Sequence, residues 1–305
     1  MARENVFFST ERDLGLPICS GNTLSSIGFQ STNVARAAKI VAHAQAQGRP
    51  ILLGMVSCVS SCGIRDLVTE FINKYNVVAI VAAAGCIQQD FIKQTGDFFV
   101  HQGSFNNAEL RERGINRTAN LLIPNTLYCE LQMRLVDIFR NMKSVSTQQL
   151  CHILGESGSG WLAAARTKRL PVFCPAPLDG SIGDVIVYTA KHITWDIARE
   201  WREWYARTLQ LADAVVLCLG SGTVKHAIIN PFIGRNGAAS WVHFSVEADL
   251  YGSNSGTEKG ELITWGKLGP EGFDESVTVW GDFSINFRVF MQQLSRINGR
   301  DSKNV

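Results

Sequence analysis

The chain has 305 residues, 46% of them hydrophobic, and 29 basic residues stand against 27 acidic ones for a formal net charge of +2. That is enough apolar material for a sizeable core, and the charge balance argues against a dedicated nucleic-acid or membrane-surface binder. No apolar run reaches the roughly 18 residues that cross a bilayer. The eight cysteines are scattered, most of them in apolar stretches such as Val216-Leu217-Cys218-Leu219. This suits reduced core thiols in a cytoplasmic protein, with no metal site, since Cys58 and Cys62 have no second pair at zinc spacing. The N-terminal stretch MARENVFFSTERDLG has charges of both signs and no apolar core, so no signal peptide is expected.

Residues 1–33 read as an irregular segment rich in Ser, Thr, Asn and Gly. Thr32-Asn33 is expected to cap an alanine-rich helix over 34–47, which Gly48-Arg49-Pro50 ends. The continuous apolar run 51–57 reads as a strand buried on both faces, followed by a Ser/Cys/Gly turn and a helix over 64–75. A second such run, 77–84, precedes a helix over 87–95. The middle of the chain predicts a strand at 119–123, helices at 126–142 and 147–154, and a short strand at 171–174. An amphipathic helix is expected over 196–211, with Ile197, Trp201, Trp204, Tyr205 and Leu211 near one face. A strand at 214–219 turns through Gly220-Ser221-Gly222 into a helix over 223–234. Further strands are predicted at 240–246 and 276–281, with a last helix at 284–298. Apolar runs alternating with helical patterns imply βαβ units. The expectation is one doubly wound, mostly parallel Rossmann-like α/β domain over 34–305, with helices on both faces.

In such a sheet, ligands bind beyond the carboxyl ends of the strands, so the loops after strands are the ones to search. Gly220-Ser221-Gly222-Thr223 leaves a strand and opens a helix, which lets backbone N–H groups approach a phosphate. Lys225 breaks the full G-x-G-x-x-G pattern, and a plain tight turn reads equally well. The loop 174–184, CPAPLDGSIGD, holds Asp179 and Asp184, which suit ribose hydroxyls or a cationic amine, and equally turn forming and helix capping. His226 follows Lys225 at a helix start and reads as structural or functional. The stretch 252–267, GSNSGTEKGELITWGK, is expected to be a long irregular loop. Its Lys267 reads either as a solvated lysine or as a nucleophile. A nucleophilic lysine must be neutral, through burial or nearby positive charge, and Trp265 suits excluding water or stacking on a cation.

Taken together these segments resemble the deoxyhypusine synthase family over nearly the whole chain after about residue 27. The resemblance is carried by Gly28-Phe29-Gln30-Ser31-Thr32-Asn33, Ser60-Ser61-Cys62-Gly63-Ile64-Arg65-Asp66, ELRERGINRTAN (109–120) and the stretch 171–184. It continues through 222–226, Arg235-Asn236-Gly237-Ala238, 252–256 and Thr264-Trp265-Gly266-Lys267. The resemblance implies that bound NAD oxidises spermidine. The aminobutyl part then passes to an enzyme lysine as an imine, then to one lysine of the hypusine-bearing translation factor, and the product is reduced by the same nicotinamide. By motif match Lys267 is the imine-forming lysine. His226, Asp184, Glu261, Trp265, Asn230 and Gly252 match the amine site. Ser57, Ser61, Gly85, Asp179, Gly220, Gly222, Ser253 and Asp282 match positions around NAD.

The departures carry as much information. Gln88 and Gln89 stand where the family has glutamates, Cys58 where it has asparagine, and Asn254 and Tyr251 where it has aspartates; Ala227 replaces a second histidine. Neutral amides keep the shape but neither pair with an ammonium nor act as a base. Losing one charge partner of a desolvated amine costs on the order of 2–5 kcal/mol. The family builds its sites from two subunits, and here the damage falls mainly on the N-terminal half. The sequence therefore resembles the diverged, partner-dependent members found in some protozoa. It is expected to work in a hetero-oligomer, a tetramer, with a complementary paralogous subunit. The rival expectations are a catalytically dead regulatory or scaffold subunit and a homospermidine-synthase-like aminobutyl transferase.

Overall fold

The computed structural model describes residues 24–248 and 252–301. Helix α1 (Phe29–Ala46) leads to strand β1 (Ile51–Met55), then α2 (Ser57–Ser61), α3 (Arg65–Lys74), β2 (Val77–Ala82) and α4 (Ala84–Thr95). A side module follows: β3 (Phe99–Val100), α5 (Asn107–Glu112), β4 (Ile115–Thr118), β5 (Leu121–Pro124), α6 (Asn125–Phe139), β6 (Ser144–Val145), α7 (Thr147–Leu154) and α8 (Gly160–Thr167). The alternation resumes with β7 (Val172–Phe173), α9 (Ser181–Tyr188), β8 (Thr194–Trp195), α10 (Ile197–Leu209), β9 (Val215–Leu219) and α11 (Gly222–Ile229). It closes with β10 (Ser240–Ser245), α12 (Lys259–Thr264), β11 (Val277–Trp280) and α13 (Phe283–Asp301).

Six strands form one parallel sheet in the order β11-β10-β9-β1-β2-β7. This is the doubly wound order, in which chain progress reverses between β1 and β9. The apolar runs are continuous because both faces are covered. Ile51, Leu53, Met55, Val215, Leu217 and Leu219 face a core shared with α1, α3 and α13, while Leu52, Val216 and Cys218 face one shared with α10, α11 and α12. Gly54 sits in the middle of β1 because a Cβ there would lie 2.9 Å from Cys218 Sγ and 3.4 Å from Val224 and Ile228 of α11. Its absence lets α11 pack close against the sheet.

Several expected boundaries move for physical reasons. α1 begins at Phe29 rather than residue 34, after Gly28 at φ 91, and the Asn33 amide bonds Gln30 Oε1 inside the helix instead of capping it. The expected turn after β1 is the one-turn helix α2. The single strand expected at 119–123 is the hairpin β4–β5, turned by Ala119 and Asn120 with Ala119 at φ 51. Helices α5, α8 and α9 and the short strands β3, β6 and β8 give no periodic signal, since each is too short to show one. The stretch 252–267 is not one irregular loop: it contains a 3-10 turn, Asn254–Gly256, and helix α12.

Candidate active site

The backbone ladder runs one residue beyond the strand ends: Val56 N–H donates to Leu219 O (3.2 Å), Ala83 N–H to Met55 O (3.0 Å) and Gly220 N–H to Phe244 O (2.8 Å). This gathers the loops after β1, β2 and β9 at the carboxyl edge, beside the switch point. Gly220 lies at φ 89, and a Cβ there would meet Val56 Cγ2 at 2.5 Å, so only glycine fits. Gly222 lies at φ 67 with open space on its Cα, which leaves the start of α11 bare. A Cβ on Gly85 would lie 2.4 Å from Ser57 Oγ, so α2 and α4 touch there. Ser61 is buried, whereas Cys58 is exposed.

The predicted acidic loop is held by an amide. Gln88 Oε1 accepts from Ser181 N–H (3.0 Å) at the start of α9, beside Gly180 at φ 122. Helix α9 takes no cap from its own loop, so Asp179 and Asp184 are not capping residues; both carboxylates stand exposed. Gln89 is buried, and its Oε1 has no partner. Asp282, after β11, accepts from Ser284 N–H (2.8 Å).

A second cluster forms on the α11–α12 layer. Lys225 is fully buried; its Nζ donates to Asn254 O and to Ser255 O (2.9 Å), which fixes the 3-10 turn. Burial pulls the Lys225 amine down to about 8. His226 is pulled below its usual range by burial and then by Lys225 and Lys267. Lys267 has a clamped backbone: its N–H donates to Leu262 O (2.9 Å) and its carbonyl accepts from Ala238 N–H (3.0 Å), beside the start of β10. It therefore sits on the helical layer rather than on the carboxyl crest. Its Nζ lies 5.5 Å from the Trp265 ring centroid, and burial lowers its pKa against the opposing pull of Glu261. Trp265 is 61% exposed, so it stacks near the amine but does not wall it off within one chain. Asn230, at the end of α11, has a buried Oδ1 with no partner. Ser253 Oγ accepts from Ser255 N–H (3.2 Å), and Gly252 is exposed. Tyr251 lies outside the described residues.

Lys225, His226, Glu261 and Lys267 thus act on one another electrostatically, while Asp179 and Asp184 act on none of them. The candidate residues fall into two groups: a lysine-bearing cluster with one carboxylate, Glu261, and a crevice in which the buried α4 residues Gln88 and Gln89 are neutral amides. An amine reacts as a nucleophile only when neutral, so the reactivity of Lys267 should rise with pH through a pKa below 10.5. Glu261 favours the charged amine, so Glu261→Gln is expected to shift this limb to still lower pH. The pH dependence of reductive methylation at Lys267, read by mass spectrometry, checks the sign.

Sequence reasoning passed over two residues that shape the site. Asp90 on α4 is fully buried, and His243 on β10 is a buried histidine in an apolar strand. For each, a polar residue inside an apolar pattern is the available signal.

Comparisons with known proteins bear on the family and the fold. Residues 22–294 match the family model described as deoxyhypusine synthase. The chain is 32% identical to the deoxyhypusine synthase of Neurospora crassa over 285 residues, covering 83% of this chain and 81% of that one. It is 27% identical to that of Candida glabrata over 325 aligned residues, covering 88% and 84%. Among solved structures, a candidate deoxyhypusine synthase from Entamoeba histolytica superposes with a TM-score of 0.63 at 21% identity, covering 88% of this chain and 89% of that one. The ternary complex of AgrE with ornithine and NAD+ has a similar fold, with a TM-score of 0.57 at 14% identity, covering 93% of this chain and 35% of AgrE.

Proposed function

The chain belongs to the deoxyhypusine synthase family, and we propose that it is one subunit of an NAD-dependent enzyme that transfers the aminobutyl group of spermidine to a lysine of the hypusine-bearing translation factor. In this reading it acts in the cytoplasm, in a hetero-oligomer with a paralogous subunit. The observation that carries the proposal is the split site: a lysine with a lowered pKa beside Trp265 and Glu261, and a crevice in which Gln88, Gln89 and Cys58 are neutral.

The crevice suits a dinucleotide. Gly220 and Gly222 have no side chains to block close approach, the start of α11 is bare, and Ser57 and Gly85 meet opposite it. Ser57, Gly85, Asp179, Gly220, Gly222, Ser253 and Asp282 would hold NAD, with the buried Ser61 at the end of α2. NAD supplies the hydride acceptor and, later, the hydride donor. The chain's own residues do the rest. Lys267, whose pKa burial lowers, attacks in its neutral form the carbon of the oxidised spermidine, so that an imine to the aminobutyl group forms as the remaining diamine leaves; the acceptor lysine then displaces Lys267 in the same way. His226, held neutral, takes up a proton from the reacting amine. Glu261 and Asp184 attract the ammonium groups, Asn230 offers its unpartnered Oδ1, and Trp265 stacks on the cation. The exposed Trp265 face is covered by the partner subunit, which also supplies the carboxylates missing at Gln88, Gln89 and Asn254.

The neutral α4 positions also favour a second reading, a regulatory subunit that activates the paralogue without chemistry of its own. Purified chain, assayed alone and mixed with the family member from the same cell, tests the proposal. Alone it is expected to show at most about a thirtieth of the activity of the mixture, since a missing charge partner costs on the order of 2–5 kcal/mol. Full activity of the lone chain would refute the partner requirement.

A further inference from the structure

His243 lies in the middle of β10, fully buried, and no step above uses it. Its ring stands 5.1 Å from that of Trp241, on the face covered by α10, α11 and α12. Burial first, and then the nearby Lys225, push its pKa down to about 3, so the imidazole is neutral at working pH. A neutral ring has one N–H. Nε2 lies 3.1 Å from Gly220 O, which can only accept, so Nε2 carries the proton. Nδ1 is then a bare acceptor, buried without a partner. The same Nε2 lies 3.1 Å from Ser221 Oγ, which sits 2.8 Å from Ser245 Oγ, which in turn accepts from Glu247 N–H (3.0 Å). One connected set of hydrogen bonds therefore stitches the turn after β9 to the end of β10.

That turn needs a tether. Gly220 and Gly222 both hold positive φ, with a single residue between them, and glycine passes between such states freely. Gly220 is pressed against Val56, but the open space at Gly222 gives its backbone no steric support. The polar bonds to Gly220 O and Ser221 Oγ fix the peptide planes instead.

We propose that His243 is a positioning residue that holds the Gly220-Ser221-Gly222 turn in the shape the dinucleotide crevice requires; the assignment rests on the cofactor reading given above. His243→Phe keeps a ring of similar size and removes the N–H. His243→Gln carries an amide N–H that can reach the place of Nε2. Hydrogen exchange at the Gly220 amide, which donates to Phe244 O (2.8 Å), is measured on the full-length chain, together with NAD affinity alone and in the presence of the family partner. In the Phe variant, exchange is expected to accelerate at least about tenfold and NAD to bind about tenfold more weakly, with a melting temperature within a few degrees of wild type and most of both effects restored by Gln. Unchanged exchange in the Phe variant, or a Gln variant as fast as Phe, overturns the assignment. Accelerated exchange in a protein whose wild-type form binds no NAD, alone or with its partner, overturns the dinucleotide role instead and refutes the cofactor reading itself.

Discussion

Replacing Lys267 with alanine in the assembled enzyme is expected to lower turnover by at least about a thousandfold while leaving the fold intact. The two effects separate because the backbone and the amine of Lys267 do different things. The bonds to Leu262 O and from Ala238 N–H are main-chain bonds and survive the substitution. The side chain, half-buried beside Trp265, makes no hydrogen bond among the described residues, so its loss leaves no partner there unpaired. What is lost is the nucleophile, and removing the group that makes a covalent intermediate costs several powers of ten. Lys267→Arg should be nearly as inactive, because a guanidinium stays protonated. Turnover in the complex, measured beside thermal melting, checks both parts. A regulatory subunit without chemistry of its own would leave turnover unchanged in both variants.

Asp90→Asn is expected to destabilise the chain by about 3–5 kcal/mol, the usual cost of breaking a buried ion pair on one side. Asp90 Oδ1 accepts from Arg65 Nε (2.7 Å) and Trp161 N–H (3.2 Å), and Oδ2 accepts from Leu162 N–H (3.1 Å) and Gln94 Nε2 (3.3 Å). The carboxylate thus caps α8 from a distance, in place of Ser159, which offers no side-chain cap. Gly160 is required beside it: φ is 81, and a Cβ there would meet Asp90 Oδ1 at 2.4 Å. Asparagine has one acceptor oxygen where four donors converge, and its amide nitrogen would face two of them. Such a loss lowers the melting temperature by roughly 6–20 °C at about 2–4 °C per kcal/mol. Because Asp90 shares α4 with Gln88 and Gln89, its loss also loosens the crevice half of the site.

The fold was readable because the strands β1, β2 and β9 are unbroken apolar runs, as expected of a parallel sheet covered on both faces. The glycine turn at Gly220 was readable too, because a strand, a turn and a helix follow one another within a few residues. In the side module the helices α6 and α7 were readable, but β3, β4 and β5 were not resolved as three strands, since they have two to four residues and pair antiparallel at the margin. Helix α12 hid behind glycines and polar residues, and Leu262, its one buried side chain, gives no periodicity. The candidate residues were legible from motif resemblance, but their grouping was not. That Asp184 and Lys267 lie in separate halves follows from the strand order, which places β7 and β10 on opposite sides of β1. His243 and Asp90 were overlooked because their partners, Gly220 and Trp161, are distant in sequence.

The central claim is that this chain contributes a working lysine to a site completed by another subunit. The most direct measurement is to trap the imine with borohydride during turnover of isotopically labelled spermidine and locate the label by mass spectrometry. The predicted result is an aminobutyl adduct on Lys267 that forms with NAD and the partner together and is nearly absent for the chain alone. Label found only on the partner's own residues, or on Lys267 at full yield without a partner, would contradict the claim.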